Sequence, residues 1–172
     1  PPPVAAAPGA PETSPSGGAA TAIEAPRPAT ATAAKPPVAP VDNAQLRSDV
    51  IASCGQNGQT FMLYTQVYDD SQRADVLRSL APVRELGIVV PGVENVTDTA
   101  KRNGRHSPFE WRSPTVLYAP EGKTCATALV KWGNATLPAL ANTPARAVAL
   151  PVGTGTSNVL ELWIPRKRPA TP

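Results

Sequence analysis

"QTFMLYTQVYDDSQRADVLRSLAPVRELGIVVPGVENVT", residues 59–97, changes its apolar period from two to about 3.6 and back again. Along 59–69 Phe61, Leu63, Thr65 and Val67 fall on one side and Met62, Tyr64, Gln66 and Tyr68 on the other, in a run rich in β-branched and aromatic residues. That alternation predicts a strand. Asp69, Asp70 or Ser71 then caps a helix in which Ala74, Leu77, Leu80 and Ala81 recur at steps of three and four. Pro82 is expected to kink or restart this helix, whose last turn closes at Leu86 and Gly87. "GIVVPGVENVT", 87–97, reads as a second strand bent at Pro91-Gly92, a bulge or edge position because proline cannot donate to a ladder.

Working outward, Asp42 or Asn43 caps a short helix ending near Cys54, with Leu46, Val50 and Ile51 on one face and Gly55 as its stop. On the other side, "PTVLYAP", 114–120, is a third strand. "EGKTCATALVKWG", 121–133, is a helix with Cys125, Ala128, Leu129 and Trp132 inward, and "LPALANTPA", 137–145, is a loop or broken turn. "RAVALPVG", 146–153, is a fourth strand, joined through a hairpin turn in "GTGTSN" to a fifth, "NVLELWIP", 158–165. The order β-α-β-β-α-β predicts an α+β fold: a single, mainly antiparallel sheet with two helices on one face. This is the split βαβ or ferredoxin-like order, carrying a short N-terminal helix and an extra C-terminal strand, with the second sheet face left open.

Composition divides the chain into parts. Residues 1–40 hold eleven Pro and thirteen Ala, with Glu12, Glu24, Arg27 and Lys35 as their only charges. Such a stretch cannot bury enough apolar surface to offset ordering its backbone, and it is expected to be a disordered tether. Residues 41–165 are long enough for one domain, and 166–172 form a basic, flexible tail. No apolar run reaches membrane-spanning length, and a chain beginning with Pro1 is expected to be a mature form or a fragment. The net charge of +3 is too small for a nucleic-acid footprint.

The two cysteines, Cys54 and Cys125, have no further Cys or His at metal-ligand spacing, which argues against a zinc site. They are either a disulfide or two buried thiols. A bridge fits an extracytoplasmic, disulfide-permissive location, the bacterial periplasm being the expected one.

"VYDDSQRADVLRSLAPVRELGIVVPGVENV" and "PTVLYAPEGKTCATALVKW" together resemble small bacterial modules of the sporulation-related repeat type and the C-terminal domain of LytR-like proteins. The shared pattern is a strand, an Arg- and Ala-rich helix, then G-hydrophobic-x-V-x-G-hydrophobic-E-x-V; the second half repeats strand and Ala-rich helix. The resemblance implies a βαββαβ fold whose open sheet face or adjacent groove binds peptidoglycan. The long 97–113 connection and the final strand depart from that pattern.

Catalytic signals are sparse. His106 is the only histidine, so any Ser-His or Cys-His mechanism must use it, and no nucleophile elbow is present. Glu94, Glu110, Glu121 and Glu161 can be paired on paper for glycoside hydrolysis, as in any chain of this size. Asp69-Asp70 reads as a helix cap, and "NVT" at 95 and "NAT" at 134 match glycosylation sequons. Two clusters suit binding. Lys101, Arg102, Arg105, Phe109, Trp111 and Arg112 interleave cations and aromatics, the mixture that recognises an anionic or sugar-bearing polymer or a protein, unless this is a solvated loop with its aromatics tucked on the core. Tyr64, Gln66 and Tyr68, with Tyr118 nearby, suit a sheet face that stacks on sugars or on a partner. The expected function is a non-catalytic extracytoplasmic module for peptidoglycan or an envelope protein, without a cofactor, a metal or a nucleic-acid partner. A structural subunit of an envelope or secretion assembly is the other reading.

Overall fold

The computed structural model describes residues 42–137 and 143–167; the expected tether, part of the 137–145 loop and the end of the tail lie outside the described residues. Asp42 accepts hydrogen bonds from the backbone N–H groups of Ala44 and Gln45 and so starts helix α1, Asn43–Cys54. Leu46, Val50 and Cys54 are its buried stripe, whereas Ile51 faces solvent. Gly55 ends it, where an added Cβ would stand 2.9 Å from the Ile51 carbonyl oxygen.

Strand β1, Met62–Val67, shows the expected alternation. After a 3-10 turn at Asp70–Gln72 come α2, Arg73–Ser79, and α3, Ala81–Arg84, restarted at Pro82. The stripe expected here was out of phase. Val76, Leu80 and Val83 are buried, while Ala74 and Leu77 are exposed, because the 3-10 turn and the break at Leu80 rotate the chain relative to one continuous helix. Strand β2 is only Val93–Asn95, with an isolated bridge between Met62 and Val89 before the Pro91-Gly92 interruption.

A further helix, α4, Val96–Arg102, occupies the start of what the sequence suggested was a loop. The Asn95 side chain accepts from the N–H groups of Thr97 and Asp98, and its amide donates to the Asp98 carboxylate at 2.8 Å. The rest follows expectation locally: β3 at Thr115–Tyr118, α5 at Lys123–Thr136, β4 at Arg146–Ala149 and β5 at Val159–Ile164.

The assembly of these elements is not the expected one. The five strands run in the order β2-β1-β5-β3-β4, and every neighbouring pair is parallel except β3 with β5. The fold is therefore α/β, with five helices among the described residues, and not a mainly antiparallel sheet carrying two. The physical reason lies in the two crossovers. Each helical connection returns its second strand directly beside the first, giving the units β1-α2-α3-β2 and β3-α5-β4, so no gap is left inside either unit. The gap falls between the units, and β5 fills it. The strand expected as an addition is the central one, and the segment 150–158 is no hairpin, because β4 and β5 are not neighbours.

One sheet face packs under α1, α2, α3 and α5, with Leu63, Val67, Val116, Leu160, Leu162 and Ile164 meeting Val50, Leu80, Val83, Leu129 and Trp132 in one cluster. Cys54 and Cys125 are joined, which ties the end of α1 to the first turn of α5. On the far side of α1, the Arg47 guanidinium donates to the Glu85 carbonyl at 3.1 Å, just beyond α3. No helix among the described residues is long and apolar enough to cross a membrane.

Candidate functional site

Side chains alternate across a strand, so the sheet face opposite α1, α2, α3 and α5 is fixed by the register. One row across it is Glu94, Gln66, Trp163, Thr115 and Arg146; the next is Tyr64, Glu161, Leu117 and Val148; a third is Val89, Met62 and Val159. Tyr64 is 43% and Val89 46% exposed, whereas Thr115 and Leu117 are buried. The Trp163 indole donates to the Glu161 carboxylate at 3.0 Å, which ties the ring to the acid on this face. Gln66 lies beside them with its Oε1 buried and unpartnered among the described residues.

The connection from α4 to β3 closes one end of this face, and Tyr68 holds it there. The Tyr68 hydroxyl donates to the Phe109 carbonyl at 2.5 Å and accepts from the Trp111 N–H at 3.3 Å, while its ring lies 5.9 Å from that of Trp163. Arg166 adds a second tie, pairing with Glu110 at 3.2 Å and donating to the Tyr68 carbonyl at 3.1 Å. The Arg146 guanidinium stacks over the Trp111 ring at 5.3 Å. Of the expected tail, Arg166 is thus held to the loop, and Lys167 pairs with Asp75.

These ties sort the residues singled out from sequence. Tyr68 is buried and acts as the pin of the loop, not as a contact surface. Tyr118 is buried on the helix side, opposite Leu160, and does not join Tyr64. Trp111 is half-buried under Arg146, and Phe109, set edge-on to Trp111 at 5.4 Å, is 73% exposed. Lys101, Arg102, Arg105 and Arg112 are all exposed, and none makes an ion pair among the described residues. The sequence reading did not single out Trp163, and it named Glu161 only as one of four carboxylates, although the alternation of Val159, Glu161 and Trp163 placed them together on one face. Only the central position of β5 turns that face into a site.

Of the residues considered for catalysis, His106 is exposed on the loop without a hydrogen-bonding partner among the described residues, Glu110 is paired with Arg166, and both cysteines are in the bridge. Glu94 and Glu161 lie in adjacent rows of the same sheet face, and Glu121 sits before α5. No group of three or more His, Cys, Asp or Glu among the described residues could hold a metal ion. Asp69 serves as a cap, its carboxyl lowered by the Ser71 N–H and hydroxyl. Both sequon asparagines are engaged: Asn95 is the buried cap of α4, and Asn134 exchanges two hydrogen bonds with the Ala145 backbone.

Burial pushes the Tyr68 phenol above its ordinary value of 10.0, against the lowering effect of the Trp111 N–H. Between the unfolded and folded pKa the unfolded chain loses this proton first, so stability falls as pH rises from about 10. Tyr68→Phe is expected to cost about 1–2 kcal/mol at neutral pH, from the hydrogen bonds lost by the loop, and to flatten that alkaline slope. Urea midpoints measured from pH 8 to 11 check it; an unchanged slope would count against Tyr68 as its source.

No protein family, curated protein or solved structure matches this chain.

Proposed function

We propose that this domain is a non-catalytic module that binds a sugar-bearing, anionic polymer of the cell envelope, with peptidoglycan as the ligand to be tested. The observation that carries the reading is the half-open sheet face bearing Tyr64, Gln66, Glu161 and Trp163, bounded by a pinned loop that presents Phe109, Arg105 and Arg112 after Lys101 and Arg102 at the end of α4, four cations with no ion pair among the described residues. Aromatic rings offer faces to the C–H surfaces of sugars, the amide and carboxylate address hydroxyls, and the cations meet carboxylates along the polymer. Glycan binding is supported by this arrangement and not by the resemblance to sporulation-related modules. The disulfide fits an extracytoplasmic, periplasmic setting, where such bonds persist.

Co-sedimentation of the whole chain with purified sacculi tests the proposal. Tyr64→Ala and Phe109→Ala, both at exposed positions, are expected to weaken binding by about tenfold each, as truncation of an aromatic anchor does. Added salt should weaken it further by screening the cations. If the protein does not sediment, or if both variants sediment like the unmodified chain, the glycan reading fails. A second reading is favoured by the outer edges of β2 and β4, which pair with no further strand among the described residues and can each accept a strand from another protein in an envelope assembly. Oligomers by light scattering without sedimentation would select it.

A further inference from the structure

Four pieces of chain meet at one end of the sheet. Strands β1, β2 and β5 are parallel, so all three end there, and β3, which runs against β5, is entered there from the loop that carries Phe109. Arg166, two residues past the end of β5, joins them. Its guanidinium donates to the Tyr68 carbonyl at 3.1 Å, to the Thr97 hydroxyl at 3.4 Å and to the Glu110 carboxylate at 3.2 Å, and its backbone N–H reaches the same carboxylate at 3.3 Å. The Thr97 hydroxyl in turn donates to the Tyr68 carbonyl at 3.0 Å. An exposed ion pair alone contributes little, but a planar fork with several partners in fixed places restricts each of them.

The loop has few other hydrogen bonds to hold it. After the Arg105 N–H, which donates to the Ala100 carbonyl at 2.8 Å, the next fixed points among the described residues are the Phe109 carbonyl and the Trp111 N–H on the Tyr68 hydroxyl, and Glu110 on Arg166. Of these two anchors, Tyr68 is buried against Trp163 and belongs to the core. The Arg166 side chain is 47% exposed, so its truncation opens no cavity. Lys167 turns the other way, to Asp75 on α2 at 3.3 Å, and the ties of these two consecutive residues can be cut separately.

We infer that Arg166 is the positioning residue of the contact loop: it clasps Glu110 to the ends of β1 and β5 and so holds Phe109, Arg105 and Arg112 at the margin of the sheet face. Without the clasp the loop is free to leave that margin, and a ligand that touches both loop and sheet has to order it on binding, which weakens the complex. The effect on binding rests on the glycan reading given above; the ordering of the loop does not.

Hydrogen exchange of the Trp111 amide, which donates to the Tyr68 hydroxyl, reports on the loop in the whole chain without any ligand. In Arg166→Ala this amide is expected to exchange about tenfold faster, the effect of losing one or two net hydrogen bonds. Glu110→Ala, which cuts the clasp from the loop side, should do at least as much, whereas Lys167→Ala should leave the rate unchanged. Co-sedimentation with sacculi is the second readout. Arg166→Ala should weaken binding by about three- to tenfold on its own and add nothing beside Phe109→Ala, because both act through the same loop. Unchanged exchange in Arg166→Ala overturns the inference. So does faster exchange with undiminished binding, or a loss of binding as large beside Phe109→Ala as without it. If the unmodified chain does not sediment, the glycan reading alone falls, and the exchange rates decide whether Arg166 positions the loop.

Discussion

A chain ended after Asn158 is expected to lose its cooperative unfolding transition altogether. In the split βαβ order the last strand would be an addition at an edge, and its removal would leave a sheet of four. Here it is paired along its whole length with β1 on one side and through Leu160–Trp163 with β3 on the other. Leu160, Leu162 and Ile164 are all buried, and each fully buried aliphatic side chain contributes about 1.5–3 kcal/mol. With the ladder hydrogen bonds at about 1 kcal/mol each, the total matches or exceeds the 5–15 kcal/mol that holds an ordinary domain together. Urea unfolding followed by far-ultraviolet circular dichroism gives the result directly. A sigmoidal transition in the shortened chain would mean that β5 is dispensable, and that the two βαβ units make a sheet without it. Leu160→Ala, a milder change at a residue with no exposed surface, should cost about 2–5 kcal/mol in the full chain.

The second large effect belongs to the disulfide. Cys54 and Cys125 are separated by 71 positions, and closing a loop of that length in the unfolded chain is worth about 4 kcal/mol by chain entropy. Replacing both with alanine avoids burying unpaired hydroxyls, since both sulfurs lie in the core. The melting midpoint of the double variant, or of the reduced protein, is expected to fall by roughly 10–20 °C. A fall of only a degree or two would show that residual structure already restrains the unfolded chain without the bridge.

How much of this was readable beforehand differs from residue to residue. The division of β1 and β5 into two faces followed from alternation alone, with Leu63 grouped with Phe61 and Val67 and Leu160 with Leu162 and Ile164, whereas which face of β1 meets the helices did not. Strand order did not, since alternation states which way a side chain points and is silent on which strand lies beside it. The edges did leave a trace: Pro91 interrupts β2, and β4 is four residues long and begins with Arg146, both marks of a sheet margin. Weighed together they would have pushed β5 inward. Helix α4 was legible too, through Asn95 and Asp98 at the spacing of a capping box, but the basic residues that follow drew the reading toward a loop. For the site, the exposed Phe109 and its cations were visible in the sequence. The burial of Tyr68 and Tyr118 was not, because a tyrosine on a strand suits a wet face and a packed one equally.

The bridge also divides the chain mechanically. Strands β1, β2 and β3 all lie between Cys54 and Cys125, while β4 and β5 lie beyond the second cysteine. Tension applied through the two ends of the domain therefore cannot draw out the first three strands at all. It passes along α1, across the sulfurs and into α5, and the only sheet segments it can extract are β4 and β5. A stretched molecule would shed its central strand while the loop around it stayed closed. The measured gain in length would be that of residues 43–53 and 126–167, with the closed segment adding only the width of its link.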